Sequence, residues 1–223
     1  MAQTRTFVSS YVDLRYRLFR SRYQAGLVSK VLLALGVAGL TGLAAQVRIP
    51  LPWSPVPITG QTFVVLLSGV LLGRRWGGAS LALYAGLGAL GVPWFSGWGS
   101  GLGWLAGPSG GYIVGFIFAS LFLGYMTDRY IRARSFFSML ALMLFADFVF
   151  ILGLGVVGLG LWLSVAQGSA VSLTSLLWMG AVPFIAGDIT KAVVAAAIAR
   201  GATPKEAYNG EVDRGKWQTW RLP

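Results

Sequence analysis

Three ionisable side chains, Asp147, Asp188 and Lys191, lie inside long apolar runs of this sequence. Placing such a group in a helix near the centre of a bilayer costs about 2.5 to 3.5 kcal/mol even on lenient scales, so each needs a function or a partner. Asp188 and Lys191 are spaced i, i+3, which puts both on one helical face within reach of the same small molecule. The carboxylate accepts hydrogen bonds and the ammonium donates them, a combination that matches a cyclic amide, a urea or a carboxylate. If Pro183 opens the last helix, both groups fall in its first turns. The simpler alternative is that the two pair with each other inside a helix bundle. Asp147 has no local partner in the sequence, and its role is divided between helix-packing glue and a secondary site.

Two polar-poor connections supply a different kind of chemistry. Residues 48 to 59 carry Pro50, Pro52, Pro55 and Pro57, which fix the backbone and predict a stiff loop. Closing a stiff loop over a ligand costs little ordering entropy. Residues 92 to 108 combine Trp94, Phe95, Trp98 and Trp104 with closely spaced glycines. Aromatic faces there can wrap an apolar ring or chain while glycine backbone comes near it, which makes the three tryptophans candidate ligand contacts. The competing assignment is an aromatic belt at the membrane interface.

Much chemistry is excluded. The chain has no Cys and no His, which removes thiolate nucleophiles, the usual zinc ligands and the commonest general base. No GxxxxGK[ST] phosphate loop is present, and the GxGxxA-like string from Gly101 to Ala106 has neither a preceding strand nor a following acidic residue. A membrane enzyme using Asp147 and Asp188 as paired carboxylates is the rival from another class. It lacks a nucleophile elbow, a metal cluster or a base constellation. No catalytic residue, metal ligand or cofactor is therefore expected.

The elements that must position these groups are membrane helices. Of the 223 residues, 56% are hydrophobic and 11% charged, against about a quarter charged in soluble domains. With roughly 20 apolar residues per span, six or seven spans exhaust the chain. Apolar runs predict helices at about 30 to 47, 59 to 73, 77 to 92, 110 to 128, 136 to 165 and 175 to 199, the second and third forming a tight glycine-rich hairpin around Arg74 and Arg75. Of the 18 Lys and Arg residues, 16 fall on one side of such a six-helix bundle, leaving Arg48 on the other side and Lys191 within a span. The positive-inside rule then places both termini in the cytoplasm, and the net charge of +11 records orientation rather than nucleic-acid binding. The expected organisation is a basic cytoplasmic or interfacial segment over 1–29, a six-helix substrate-binding domain over 30–200 and a basic cytoplasmic tail over 201–223. Val12, Tyr16, Phe19 and Tyr23 recur at helical spacing among arginines, which suits a short helix on an anionic surface. Ala34, Ala38 and Gly42 form a small-residue stripe that allows close helix contact.

Several strings together are similar to one family. Pro55-Val-Pro-Ile-Thr59 with Gln61-Thr62, Gly103-Trp-Leu-Ala-Gly-Pro-Ser-Gly-Gly-Tyr112 with Gly115-Phe116, and Gly187-Asp188-Ile-Thr-Lys191 resemble, in order and separation, the BioY family. These are the biotin-specific substrate-binding components of energy-coupling factor importers. The resemblance covers about 45 to 200, with Ser109 where the family string more often has Thr. It implies a plasma-membrane six-helix bundle whose site opens outward and whose transported ligand is biotin. It also implies a transmembrane coupling subunit with two ATPase subunits as partners. By motif, Asp188 and Lys191 would contact the ureido ring or carboxylate, Tyr112 and Gln61 would line the pocket, and Ala34 and Ala38 would dock on the coupling subunit. A stand-alone vitamin carrier without ATPase partners is the alternative.

Overall fold

The computed structural model describes residues 13–17, 19–22, 24–168, 171–205, 207 and 210–214. Val12 and Tyr23 of the N-terminal stripe, and most of the last ten residues, lie outside the described residues. Apart from one small hairpin the fold is all-α. Helix α1 (Leu27–Gln46) is followed by β1 (Arg48–Leu51) and β2 (Ser54–Thr59), then α2 (Gln61–Ala89) and the single turn α3 (Leu102–Leu105). Next come α4 (Gly110–Arg129), a 3-10 turn (Arg132–Arg134), α5 (Phe136–Phe145), a π-helical stretch (Ala146–Leu152), α6 (Gly153–Ala166), α7 (Leu173–Gly180) and α8 (Val182–Ala202).

Hydrophobicity is distributed as in a lipid-solvated protein. Large apolar side chains such as Leu32, Leu43, Phe137 and Leu161 face outward, whereas Ala192, Ala195, Ala196 and Ala199 of α8 are buried. Without a hydrophobic drive between helices in lipid, association depends on close backbone approach and polar contacts. The most extensive packing, between α2 and α4, uses both. A Cβ on Gly69 would collide with the Ser120 backbone, and one on Gly77 with Gly69, while the Ser68 and Ser120 hydroxyls meet at 2.8 Å. Four stretches, α1, α4, Phe136–Ala166 and Leu173–Ala202, are long and apolar enough to cross a membrane.

The expected hairpin of the second and third runs forms within α2, which breaks at Gly73 (φ 80°, ψ 172°). Asp128 from α4 holds the turn: its carboxylate accepts from the Arg74 N–H at 2.9 Å and from the Arg22 guanidinium at 2.7 Å. Arg22 also donates to the Val70 and Leu71 carbonyls at 2.6 and 3.1 Å. The end of the first arm and the start of the second thus have partners for backbone groups that a helix terminus leaves unsatisfied. A Cβ at Gly73 would sit 2.9 Å from the Asp128 carboxylate on a left-handed backbone. Gly73→Ala is expected to destabilise by at least ~1–2 kcal/mol, read as a lower thermal midpoint in detergent.

Two sequence expectations need correction. The stretch 48–59 is an antiparallel ribbon pairing Arg48 with Thr59 and Ile49 with Ile58, with a register irregularity before Leu51 opposite Ser54. Prolines fit there because each strand of a two-stranded ribbon has an unpaired edge that needs no N–H. The last run is two helices, since the backbone leaves helical geometry at Ala181 (φ −131°) before Pro183 restarts it. Near the chain ends, described residues between 13 and 24 are helical, and Arg134, fully buried, pairs with Glu211 of the tail at 2.8 Å. The Arg22 and Arg134 guanidinium groups lie over the Phe19 ring, 3.7 and 4.8 Å from its centre. The Asp213 carboxylate accepts from the Ile131 and Arg132 N–H groups.

Candidate solute site

The break at Ala181 aims α8 so that Asp188 and Lys191, one turn apart, enter the bundle. Their side chains meet at 2.7 Å, and Asp188 is only 2% exposed. Both line a cavity with Gln61, Thr62, Tyr84, Trp104 and Tyr112, closed by Phe95, Phe116 and Phe184. The two readings of the pair therefore coexist: the groups satisfy each other and also face the cavity.

Around the pair the polar groups are fixed by second partners. The Thr59 hydroxyl donates to Gln61 Oε1 at 3.0 Å, and Gln61 Nε2 donates to the Tyr84 hydroxyl at 2.7 Å. Tyr112 donates to the Gly180 carbonyl at 2.6 Å, a carbonyl left over at the end of α7. Gly155 makes room for the Tyr112 ring, since any Cβ there would enter it. A site of this kind is rigid before its solute arrives, which lowers the ordering cost of binding.

The two lids close over it. Ser54 of the ribbon donates to the Met179 carbonyl at 2.7 Å, and Gln46 donates to the Phe95 carbonyl at 3.0 Å while accepting from the Trp98 N–H at 3.1 Å. Room inside amounts to about 50 Å³, a few waters' worth at roughly 10–15 Å³ each. A wider cleft of about 540 Å³, with Arg48 on its wall, runs between ribbon and loop and shares Pro57, Ser96, Trp104 and Ser109 with the cavity.

Of the residues expected from sequence, Asp188, Lys191, Tyr112, Gln61 and Trp104 converge on this cavity. Trp94 and Trp98 do not. Trp94 packs behind Tyr84, with ring centres 5.4 Å apart, and donates to the Tyr84 carbonyl at 2.9 Å. Trp98 is 64% exposed and held at φ 61°, a left-handed backbone that its tie to Gln46 maintains. Ala34 and Ala38 of the small-residue stripe are both fully buried. Asp147 is fully buried on the π-helical stretch with no hydrogen-bond partner for either oxygen among the described residues. It is not among the residues that line this cavity with Asp188.

Tyr84 and Thr62 are the site residues that sequence reasoning passed over or left without a role. The available signal was a phenol in an otherwise apolar run, whose hydroxyl requires a partner when buried.

Comparison with known proteins gives a consistent picture. The BioY family profile matches residues 15–207. The chain is 50% identical over 157 residues to the probable biotin transporter BioY of Methanothermobacter thermautotrophicus, covering 70% of this chain and all of that protein. It is 35% identical to the biotin transporter BioY of Rhizobium etli, over 76% of this chain and 90% of the relative. Among solved structures, the S-component for biotin from an ECF-type ABC transporter superposes with a TM-score of 0.68 at 26% identity, covering 78% of this chain and 89% of that one. A match over most of the chain, to proteins named as transporters and not as enzymes, settles the class: the chain belongs to the BioY family.

Proposed function

We propose that this protein captures biotin at the outer face of the plasma membrane and delivers it inward as the substrate-specific subunit of an ATP-driven importer. The observation that carries the assignment is the buried Asp188–Lys191 pair facing a lidded cavity in a chain of the BioY family. A ureido ring presents two N–H donors and a carbonyl acceptor, which complement a carboxylate and an ammonium held one helical turn apart. The apolar bicycle matches the Phe116, Phe184 and Trp104 walls. Because about 50 Å³ does not hold a bicyclic solute, entry requires the ribbon or the 93–108 segment to move outward, and few polar ties oppose that motion. Nothing in the chain harvests ATP, so a transmembrane coupling subunit with two ATPase subunits supplies the energy.

The bundle is read as six crossings. Four are the long apolar stretches; the other two are the arms of α2, 61–72 and 74–89, about 18 and 24 Å long at ~1.5 Å per residue. Both arms are shorter than the ~30 Å hydrocarbon layer, and they are flanked by the longer helices rather than lipid alone. An even number of crossings with the Gly73 turn and both termini inside agrees with the clustering of basic residues at that end.

A thermal-shift panel of small vitamins on the purified chain tests the proposal. Biotin should raise the unfolding midpoint, since a ligand that binds only the folded form stabilises it. No biotin-dependent shift, or an equal shift with unrelated vitamins, removes the assignment. Uptake in cells lacking every coupling subunit would instead favour a stand-alone carrier.

A further inference from the structure

At the inner end of the bundle, away from the solute site, two cavities adjoin. The first, about 670 Å³, lies at the Gly73 turn and, among the described residues, is walled by five cations (Arg22, Lys30, Arg74, Arg75 and Arg129) against one carboxylate, Asp128. The second, about 700 Å³, runs along α1 beneath Leu33, Leu71 and Leu72. They share Arg22, Lys30, Leu72 and Trp76, so a cationic chamber opens directly into an apolar groove. We propose that this composite cavity is a binding site for an anionic glycerophospholipid, with the phosphate among the arginines and an acyl chain along α1.

Charge complementarity selects the occupant. Asp128 is already engaged by the Arg22 guanidinium and the Arg74 N–H, which leaves the chamber strongly positive. Arginine guanidinium groups suit phosphate oxygens because their donors match them in pairs. Arg74 is steadied over the Tyr125 ring at 5.2 Å. Trp76 and Tyr125 bracket the chamber as amphipathic rings do at headgroup level. A soluble anion would use the chamber alone and leave the groove without a role. A phospholipid uses both, at the depth where headgroups give way to chains. Basic pockets between membrane helices on the cytoplasmic side are general sites for acidic headgroups.

The test uses the full chain purified in detergent and mixed with dioleoyl phosphatidylglycerol or dioleoyl phosphatidylcholine, bound lipid being counted by native mass spectrometry. Phosphatidylglycerol is expected to be retained at least tenfold better. Arg74→Gln with Arg75→Gln should abolish the preference, and Arg74→Lys with Arg75→Lys should keep most of it. Leu33→Trp, which fills the groove without changing charge, should cut retention severalfold, whereas excess glycerol phosphate should not compete. Each variant is checked for a cooperative unfolding midpoint without ligand close to that of the wild type, so a folding defect is recognised independently of biotin; if the glutamine pair does not fold, the lysine pair and Leu33→Trp decide. Equal retention of the two lipids overturns the proposal, as does indifference to Leu33→Trp or competition by glycerol phosphate, which would mark a soluble-anion site. Because biotin binding is read separately, failure of the lipid site leaves the solute assignment standing, and the reverse.

Discussion

Replacing Asp188 and Lys191 together by alanine is expected to lower biotin affinity at least 100-fold. Truncating a desolvated, hydrogen-bonded charged partner typically costs ~2–5 kcal/mol, and each ~1.4 kcal/mol is tenfold. The double variant is the informative one. A single substitution leaves the other charge buried and uncompensated, which destabilises the fold itself, whereas removing both restores neutrality and isolates the loss of recognition. Isothermal titration of the double variant, alongside its unfolding midpoint without ligand, separates the two effects. Wild-type affinity in a folded double variant would show that the pair is only a structural bridge, the simpler reading of its 2.7 Å contact. The tryptophans give an internal contrast. Trp104→Ala should weaken binding about tenfold, in line with ~0.5–1.5 kcal/mol for an aromatic contact beyond its buried area, while Trp98→Ala, whose ring faces outward, should change it less than threefold.

Legibility in the sequence varied with the physical signal each element carries. Long apolar runs bounded by arginines read directly as helices, because only a hydrogen-bonded helix satisfies its backbone in lipid. The i, i+3 placement of Asp188 and Lys191 was legible for the same reason, since an ionisable group in an apolar run is rare enough to mean something. The proline-rich ribbon was not: proline argues against strands in general, and the exception for a two-stranded edge depends on which side faces the partner. The break at Ala181 has no breaker residue of its own; Pro183 signalled a helix start, but not that α7 would end on a carbonyl reserved for Tyr112. Ala34 and Ala38 show the limit of a small-residue spacing, which reveals that some helix approaches closely without saying which one. Trp94, Trp98 and Trp104 have one composition and three environments, because the bends at Gly97 and Gly101, both at positive φ, direct each ring differently.

The second large effect concerns the end of the bundle away from the solute cavity. Arg134 carries no exposed surface and spends its donors on the Thr127 carbonyl at 3.0 Å, the Pro204 carbonyl at 3.3 Å and the Glu211 carboxylate at 2.8 Å. Glu211→Ala removes the carboxylate that pairs with this guanidinium. Breaking one member of a buried pair costs about 3–5 kcal/mol. At roughly 2–4 °C per kcal/mol for a chain of this size, the midpoint should fall on the order of 10 °C. Arg134→Met with Glu211→Leu should recover most of that loss, because a matched apolar pair avoids the desolvation that both ions suffer. Biotin affinity measured well below either midpoint should be unchanged in both variants, since the tail packs against the 129–135 turn at the end of the bundle opposite the solute cavity. Truncation after Lys205 should lower the midpoint at least as far as the single variant, since it also removes the Asp213 carboxylate that accepts from the Ile131 and Arg132 N–H groups. A Glu211→Ala midpoint equal to wild type would mean that the tail is a solvated appendage, as its basic composition first suggests. The expected drop would make residues 210–214 a structural part of the membrane domain, strapped across the turn that joins α4 to α5.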